Sequence, residues 1–171
     1  MLVDANDAQL GSEAKLPAHQ LGLLHRAFSV FLFDPRGRLL LQRRAAGKYH
    51  SGGLWTNTCC SHPRPGEAVA AAARRRLRQE MGIDCPLEPA FQFVYCAALD
   101  HGLTEHEYDH VLVGRFQGEP APDPAEVDDW RWAAAGEVLR ELEAAPERFT
   151  VWFRIAIQEL QTRGMLETDA T

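Results

Sequence analysis

Two short segments of this chain carry residue types that together could move protons. In the first, the thiol of Cys60 and the imidazole of His62 lie two residues apart. In the second, the carboxylates of Glu105 and Glu107 have the same spacing. Residues i and i+2 of an extended strand point to one face, so these carboxylates would project together. A thiol, an imidazole and a carboxylate pair are the components of a metal-supported acid/base site.

The cysteines also allow simpler interpretations. A structural zinc site usually takes two cysteines separated by two to four residues and then a second pair. Here Cys59 and Cys60 are adjacent, and Cys85 and Cys96 are isolated. Adjacent cysteines are also poorly placed for a disulfide, which requires a Cα separation of about 4.4–6.8 Å. The spacing argues against both, and Cys85 and Cys96 are predicted to be small buried hydrophobes.

The composition is that of one ordinary globular domain. The chain has 171 residues, 46% of them hydrophobic and 25% charged, which suits a single core, so residues 1–171 are predicted to form one domain. The net charge of −6 argues against nucleic acid as the main partner, because a phosphate backbone requires a basic face. Cations nevertheless cluster at residues 36–48 and 74–78, which favours a small anionic ligand, with solvated surface charge as the alternative.

No membrane partner and no secretory signal are predicted. No apolar run reaches the roughly 18 residues of a membrane span, and the first four residues, Met-Leu-Val-Asp, lack a basic leader region. Four cysteines without a pairing pattern fit a reducing compartment, so a cytoplasmic location is expected. The oligomeric state does not follow from the sequence, and a monomer is favoured.

The elements that would position the reactive residues follow from turn and strand signals. Residues 2–11 predict a short hairpin, and residues 27–33 and 38–44 predict a second one with a buried face. Residues 45–65, rich in Gly, Pro and Ser, are predicted to form a long functional loop that carries Cys60. Three further strands are predicted at residues 91–98, 105–116 and 127–133, and two helices at residues 135–142 and 150–161.

A further helix is predicted over residues 66–81, with Gly82 ending it. The 3.6-residue period assigns its core stripe to Val69, Ala70, Ala73, Leu77 and Met81. Arg76 and Glu80, four residues apart on the flank, predict either a weak surface ion pair or a pair directed at an anion and a metal. Strands with helices between and after them predict an α/β (α+β) fold, a mixed β-sheet sandwiched between helices.

These residues resemble a known family. The pieces Arg43-Arg44, Leu54-Trp55-Thr56-Asn57, Cys60-Ser61-His62-Pro63, Glu105-His106-Glu107 and Trp152 occur in the order and spacing of the type I isopentenyl-diphosphate isomerases. That family is a branch of the Nudix superfamily, and the resemblance extends from about Leu2 to the last helix. It implies a Nudix-like fold and the conversion of isopentenyl diphosphate to dimethylallyl diphosphate in isoprenoid biosynthesis.

The Nudix hydrolase motif is only partly kept. The motif residues Glu67, Arg75, Leu77, Glu80, Gly82 and Ile83 match, whereas Ser61 stands where the first Gly belongs. Arg76 and Gln79 replace two of the glutamates that hold divalent metals in the hydrolases. Losing two carboxylates and gaining a cation would weaken that metal cluster, so hydrolysis is expected to be lost, as in the isomerase branch.

The resemblance also implies roles for individual residues. Cys60 and Glu107 match the catalytic acid/base pair, and which of them protonates the substrate stays open. Tyr95 matches a tyrosine hydrogen-bonded near the catalytic glutamate. Trp152 matches an indole that stabilises a carbocation, worth about 2 kcal/mol when desolvated. Simple core packing is the alternative for Trp152.

Two metal sites are implied. The His/Glu site would bind Mn²⁺, Zn²⁺ or a second Mg²⁺ through His19, His25, His62, Glu105 and Glu107. The second site would hold Mg²⁺ against the substrate diphosphate through Glu80, with the diphosphate itself bound by Lys15, Arg44, Lys48 and Arg76. The other histidines match nothing and are predicted to be surface or packing residues: His50, His101, His106 and His110.

Two other functions remain open from the sequence. One is a Nudix hydrolase acting on a nucleotide or another diphosphate, against which the altered motif argues. The other is a non-catalytic module that binds an isoprenoid diphosphate or a metal without converting it. The complete catalytic set favours the isomerase over both.

Overall fold

The computed structural model describes residues 1–166 of the chain. Within them lie nine strands, four α-helices and two short 3₁₀ turns. The strands are β1 (Leu2–Val3), β2 (Gln9–Gly11), β3 (His25–Phe33), β4 (Leu39–Arg44), β5 (Trp55–Thr56), β6 (Cys59–Ser61), β7 (Glu88–Ala98), β8 (Thr104–Arg115) and β9 (Val127–Ala133). The helices are α1 (Lys15–Gln20), α2 (Val69–Met81), α3 (Ala135–Ala144) and α4 (Val151–Thr162), and the 3₁₀ turns are Asp100–Gly102 and Pro146–Arg148.

Strand β3 is the centre of one connected mixed sheet. It pairs in parallel with β8 along its whole length, from His25 opposite Glu107 to Phe33 opposite Arg115. Strand β7 pairs antiparallel with β8. The other edge of β3 pairs with β1 and β6, and with β4 at Phe33. Strand β4 then separates from β3 and pairs with β5 and β9. The predicted second hairpin therefore closes only next to its turn.

Helices cover both faces of the sheet, as the sequence predicts. Side chains of β3 alternate between two apolar clusters because successive strand residues point to opposite faces. Phe28 and Leu32 pack with Leu77 of α2 on one face. Phe31 packs with Phe153 of α4 on the other face, where α3 also contributes. Burying each Leu or Phe contributes about 1.5–3 kcal/mol, so these clusters fix the sheet between the helices.

The prediction for α2 is right in its end and wrong in its start. Gly82 ends the helix with φ +67°, in the left-handed region that favours glycine. The helix begins at Val69 rather than at residue 66, because Gly66 also has a positive φ, which a right-handed helix excludes. Within the predicted stripe Ala70 is exposed, and Ala72 is buried in its place.

Two further predictions need correction, and one helix was not predicted at all. Residues 45–65 contain β5 and β6 rather than one continuous loop, because short runs there bond to the separated strands β4 and β3. The short helix α1 was not predicted, since six residues are too few to show a period. Cys85 is buried as expected, but Cys96 is exposed because it lies on the outer face of β7. None of the helices in residues 1–166 has the length and apolar character of a membrane span.

Candidate active site

The site is built where the parallel strands β3 and β8 begin. Their register sets His25 directly opposite Glu107. Glu105 and Glu107 share one face of β8 and are both buried, which confirms the face predicted from their spacing. The distance between His25 Nε2 and Glu107 Oε1 is 3.5 Å. A histidine and two carboxylates thus meet at one end of the sheet.

Cys60 is positioned by the buried segment that bridges the gap between β3 and β4. The Thr58 hydroxyl donates to Leu40 O on β4 (2.7 Å) and accepts from the Leu32 amide on β3 (3.0 Å). The Asn57 side-chain amide donates to Val30 O of β3 at 3.2 Å. These bonds hold β6 in register, with Cys60 opposite Ser29, so that the thiol faces the same side of the sheet as His25 and Glu107.

Trp152 reaches the same place because the start of α4 is anchored to β5. The Thr150 amide donates to Trp55 O at 3.0 Å, and the Thr150 hydroxyl bonds to the Thr56 hydroxyl at 2.9 Å. Trp152 follows in the first turn of the helix and is 3% exposed. Its indole belongs to the apolar cluster beneath α4, as the packing interpretation expects, and it also lines the cavity described next.

A narrow cavity of about 30 Å³ collects much of the predicted site. It is lined by Lys15, Arg44, His50, Cys60, Ser61, His62, Glu105, Glu107 and Trp152. A cavity of this size has room for one or two water molecules, and a further cavity of about 260 Å³ shares Lys15, Ser61 and His62 with it. A larger cavity of about 440 Å³ lies at the opposite ends of β3 and β8, beside Phe33 and Val113. Its mostly apolar walls offer no comparable set of reactive groups.

Four predicted ligands converge tightly enough to hold a metal ion. One donor atom from each of His19, His25, His62 and Glu107 lies within 4.8 Å of the others. His25 Nε2 and His62 Nε2 are 3.2 Å apart, and His62 Nε2 is 2.8 Å from Glu107 Oε1. Crowded nitrogen and carboxylate donors of this kind suit a divalent cation.

Backbone carbonyls fix two of these imidazoles in the form that ligates metals. His19 Nδ1 donates to Lys15 O at 2.8 Å, and His25 Nδ1 donates to Leu23 O at 2.7 Å. Because a carbonyl only accepts, the proton is on Nδ1, and Nε2 presents a lone pair to the site. The buried His19 Nε2 has no hydrogen-bond partner among the described residues. The donor set therefore fits a metal on its chemistry and on its unsatisfied nitrogen.

The two carboxylates are electrostatically unlike. Burial and the negative charge of Glu107 raise the pKa of Glu105 well above its usual range. Burial would also raise the pKa of Glu107, but its contacts with His25 and His62 outweigh burial and hold that pKa far below the ordinary value. One carboxyl of the pair thus tends to be protonated while the other is ionised.

Tyr95 joins the two carboxyl groups from β7. Its hydroxyl oxygen lies 2.7 Å from Glu107 Oε2 and 2.9 Å from Glu105 Oε2. A phenol has one proton to donate, so the second contact is satisfied when a protonated Glu105 donates to the phenol oxygen. Burial and the neighbouring carboxylates raise the pKa of Tyr95 well above its usual value, so the hydroxyl stays protonated.

The Cys60 thiol and the nearby His62 imidazole are both uncharged at neutral pH. Burial raises the pKa of the Cys60 thiol, with Arg44 opposing the shift only in part. Burial lowers the pKa of His62 to about 4, despite its hydrogen bond with Glu107. Cys60 Sγ therefore holds a proton, and the His62 imidazole is in the uncharged state that binds metals.

The four predicted diphosphate ligands differ in availability. Within residues 1–166, Lys15 and Arg44 have no carboxylate at ion-pair distance, although Arg44 donates to the carbonyls of His50 and Ser51 and lies 5.1 Å above the Trp152 ring. Both cations line the cavity. Unpaired cations beside a cavity are suited to an incoming anion.

Lys48 and Arg76 do not line this cavity and are already paired. Glu126 binds both, accepting from Arg76 Nη2 at 3.2 Å and from the Lys48 ammonium. Arg76 also pairs with Glu80, which in turn accepts from Gln42 Nε2 at 3.1 Å. The Arg76–Glu80 pair predicted from the spacing is present, but Glu80 is buried in an ion network rather than lying at the surface.

Sequence reasoning missed two residues at this site. His50 was expected at the surface or in packing; it does pack against Trp152 and is 3% exposed, but it also lines the cavity. Its one sequence signal is its place in the segment that also carries Lys48 and Cys60. Glu126 gave no signal, because it lies far along the chain from the two cations it binds. By contrast, His101 is exposed, and His106 and His110 bond outside the site, as expected.

Comparisons with known proteins agree with this geometry. A NUDIX domain model matches residues 23–153. The isopentenyl-diphosphate Delta-isomerase 2 of Aromatoleum aromaticum is 53% identical over 160 residues, covering 94% of this chain and 85% of that protein. The isopentenyl-diphosphate Delta-isomerase of Serratia proteamaculans is 51% identical over 165 residues, covering 96% and 92%. The crystal structure of DR0079 from Deinococcus radiodurans has a TM-score of 0.78 at 20% identity, covering 92% of this chain and 96% of that one.

Proposed function

The chain belongs to the isopentenyl-diphosphate Delta-isomerase family of NUDIX-domain proteins, and from that membership we infer that it converts isopentenyl diphosphate to dimethylallyl diphosphate. The reaction adds a proton to the terminal methylene carbon of the substrate and removes one from the carbon between the alkene and the diphosphate arm. Positive charge develops on the tertiary carbon between them. The site must therefore supply a proton donor, a proton acceptor and a dry environment that tolerates a cation.

The observation that carries the proposal is the pairing of Cys60 with Glu107 in one small cavity. A thiol that holds its proton and a carboxylate that is ionised face the same space. Positioned acid/base groups contribute about 10²–10⁴-fold to a rate, and orientation of an anchored substrate can supply about 7–11 kcal/mol more. We assign Cys60 and Glu107 as the catalytic pair on this basis.

Tyr95 and Trp152 would support that pair. The Tyr95 hydroxyl connects Glu105 with Glu107, so it can hold the proton of the carboxyl pair close to the cavity. Trp152 presents an indole to the cavity in an apolar setting, where it would stabilise positive charge on the substrate carbon. Both side chains also exclude water.

The diphosphate would lie towards the cation cluster. Lys15 and Arg44 are free to bind it at the cavity, while Lys48 and Arg76 would exchange Glu126 for phosphate oxygens. Glu80 would then hold Mg²⁺ together with the diphosphate, because Mg²⁺ is commonly bound through one or two carboxylates and substrate phosphates. The cations of this cluster affect one another. Burial and the neighbouring cations lower the pKa of Lys48, and the negative charge of Glu80 opposes this shift only in part.

The His/Glu group would hold the second metal through His19, His25, His62, Glu105 and Glu107. Mn²⁺, Zn²⁺ or a second Mg²⁺ fits its mixed nitrogen and oxygen donors. A bound cation would lower the proton affinity of Glu107 and fix its orientation. We further propose that residues 1–171 act as one catalytic domain, as a monomer, in the cytoplasm. The four free cysteines support that location.

The function is tested with purified protein, isopentenyl diphosphate and Mg²⁺ in D₂O, with Mn²⁺ or Zn²⁺ added in parallel, followed by NMR. Dimethylallyl diphosphate carrying deuterium is the expected product, because the donor exchanges with solvent. Inorganic phosphate or diphosphate in its place would instead indicate the hydrolase. Binding of the substrate without any conversion would indicate a non-catalytic module.

A further inference from the structure

His50 is held inside the site by several contacts, although the family resemblance assigns it no role. The carbonyls of His50 and Ser51 accept hydrogen bonds from Arg44 at 3.3 and 3.2 Å. The Ser51 amide donates to Asp100 Oδ2 at 3.2 Å. The His50 ring packs edge-on against Trp152, with 5.7 Å between ring centroids. These contacts fix the direction in which the imidazole points.

One nitrogen of this ring is left for a ligand. His50 Nδ1 lies 3.3 Å from the Ser51 hydroxyl, whereas His50 Nε2 is buried without a hydrogen-bond partner among the described residues. His19 Nε2 is in the same condition. A buried polar atom without a partner costs about 1–3 kcal/mol. The two rings are neighbours, with 5.9 Å between their centroids, so one shared ligand could satisfy both nitrogens.

The carboxylate of Glu105 lies close to the same two histidines. Donor atoms of His19, His50 and Glu105 all lie within 4.8 Å of one another. This set overlaps the group of His25, His62 and Glu107 through His19, which belongs to both.

We propose that His50 is a further protein ligand of the His/Glu metal site, which it joins together with His19 and Glu105. This inference rests on the proposed function only in placing a metal there. With His50 the site offers four imidazoles, and nitrogen donors favour Zn²⁺, Co²⁺ or Ni²⁺ over Mg²⁺. The ligand class is therefore a nitrogen-preferring divalent transition metal.

The first test counts imidazoles in the wild-type protein. Protein labelled with ¹⁵N-histidine is titrated with Zn²⁺, and the ring nitrogen resonances of its seven histidines are followed by NMR. We expect four rings to shift on binding, namely His19, His25, His50 and His62. A count of three or fewer would overturn the proposal, and this readout does not depend on turnover.

The second test compares variants by Co²⁺ titration, monitored by visible absorption. His50→Ala is expected to weaken Co²⁺ binding at least tenfold. If the alanine variant does not fold, the same loss is expected of His50→Asn, whose side chain is closer in size to histidine. His101→Asn is the matched control, because His101 is exposed and Asn tolerates its φ of +59°. Unchanged Co²⁺ affinity in folded His50 variants would limit His50 to packing against Trp152. Isomerase turnover, assayed separately, shows whether the proposed function stands on its own.

Discussion

At the scale of single residues, the site depends on a thiol kept protonated by its surroundings. Cys60 is held by the bonds of Thr58 and Asn57 rather than by its own contacts, so truncating it should leave the fold intact. We expect Cys60→Ala to lose at least 10³-fold in kcat, because no other thiol of residues 1–166 lines the cavity. The measurement is turnover by NMR, with circular dichroism and the melting temperature as checks on folding.

Cys96→Ala is the matched control for that variant. Cys96 is an exposed thiol on the outer face of β7, away from the cavity, and its removal should leave turnover and stability unchanged. Retention of normal kcat by a folded Cys60→Ala protein would exclude the thiol from catalysis. The carboxyl groups and Tyr95 would then have to supply both the donor and the acceptor.

A second residue-scale prediction concerns the surviving part of the Nudix motif. Arg75 binds Glu67 with two hydrogen bonds, of 2.7 and 2.8 Å, and the Arg64 amide adds a third. The bonds from Arg75, helped by the one from Arg64, lower the pKa of Glu67 to about 2. A lowered folded-state pKa means that this stabilisation is complete above the unfolded value near 4.5 and is lost as the pH falls towards 2.

Glu67→Gln should therefore destabilise the protein by about 1 kcal/mol at pH 7, the upper range for a partly exposed pair. The difference in unfolding free energy from wild type should shrink as the pH falls from 5 to 2. Urea midpoints at several pH values measure it, with Glu143→Gln on an exposed helix position as the control. If the difference in unfolding free energy did not change with pH, the Glu67 side chain would stabilise the fold through packing rather than through its charge.

At the scale of elements, the sequence predicted periodic segments well and irregular ones poorly. Strand β9 was predicted with its observed bounds, and the face of β8 that carries Glu105 and Glu107 followed from alternation alone. Strands β5 and β6 were missed because two or three residues show no period. Their positions depend on buried bonds of Asn57 and Thr58 to strands far along the chain, which no local pattern reveals.

The segment of residues 45–54 is the element whose geometry matters most to the site, because it carries both Lys48 and His50. A Cβ at Gly52 would lie 2.5 Å from Ala46 O. Because this oxygen belongs to the backbone, the clash cannot be relieved by a change of side-chain rotamer. We expect Gly52→Ala to displace the segment and lower kcat/KM at least tenfold. The loss of global stability should be small, because the contact lies within one surface segment. Steady-state kinetics and urea unfolding measure the two effects.

Gly47→Ala provides the comparison within the same segment. A Cβ at Gly47 meets nothing within 4 Å, and Gly47 has no positive φ. It should therefore leave both kinetics and stability close to wild type. If Gly52→Ala retained full kcat/KM, the observed position of this segment would be unnecessary for catalysis.

At the scale of the whole molecule, the metal ligands connect the short helix α1 with strands β3, β6 and β8 of the sheet. His19 comes from α1, His25 from β3, His62 from the residue after β6, and Glu107 from β8. Without a cation, their lone pairs crowd around one point and His19 Nε2 lacks a partner. This convergence could be predicted only through the resemblance, because spacing in the sequence does not reveal which histidines meet in space.

Removing the metal should therefore lower the stability of the entire fold. A ligand bound only by the native state stabilises it by about 2.7 kcal/mol at 100 times its dissociation constant. For a chain of this size each kcal/mol corresponds to about 2–4 °C in Tm, so EDTA should lower the melting temperature by about 5–10 °C and added Zn²⁺ or Mn²⁺ should restore it. His62→Ala should abolish this metal dependence, whereas His101→Asn should keep it. Equal melting temperatures with and without EDTA, in protein shown to contain metal beforehand, would mean that the cation binds without linking these elements.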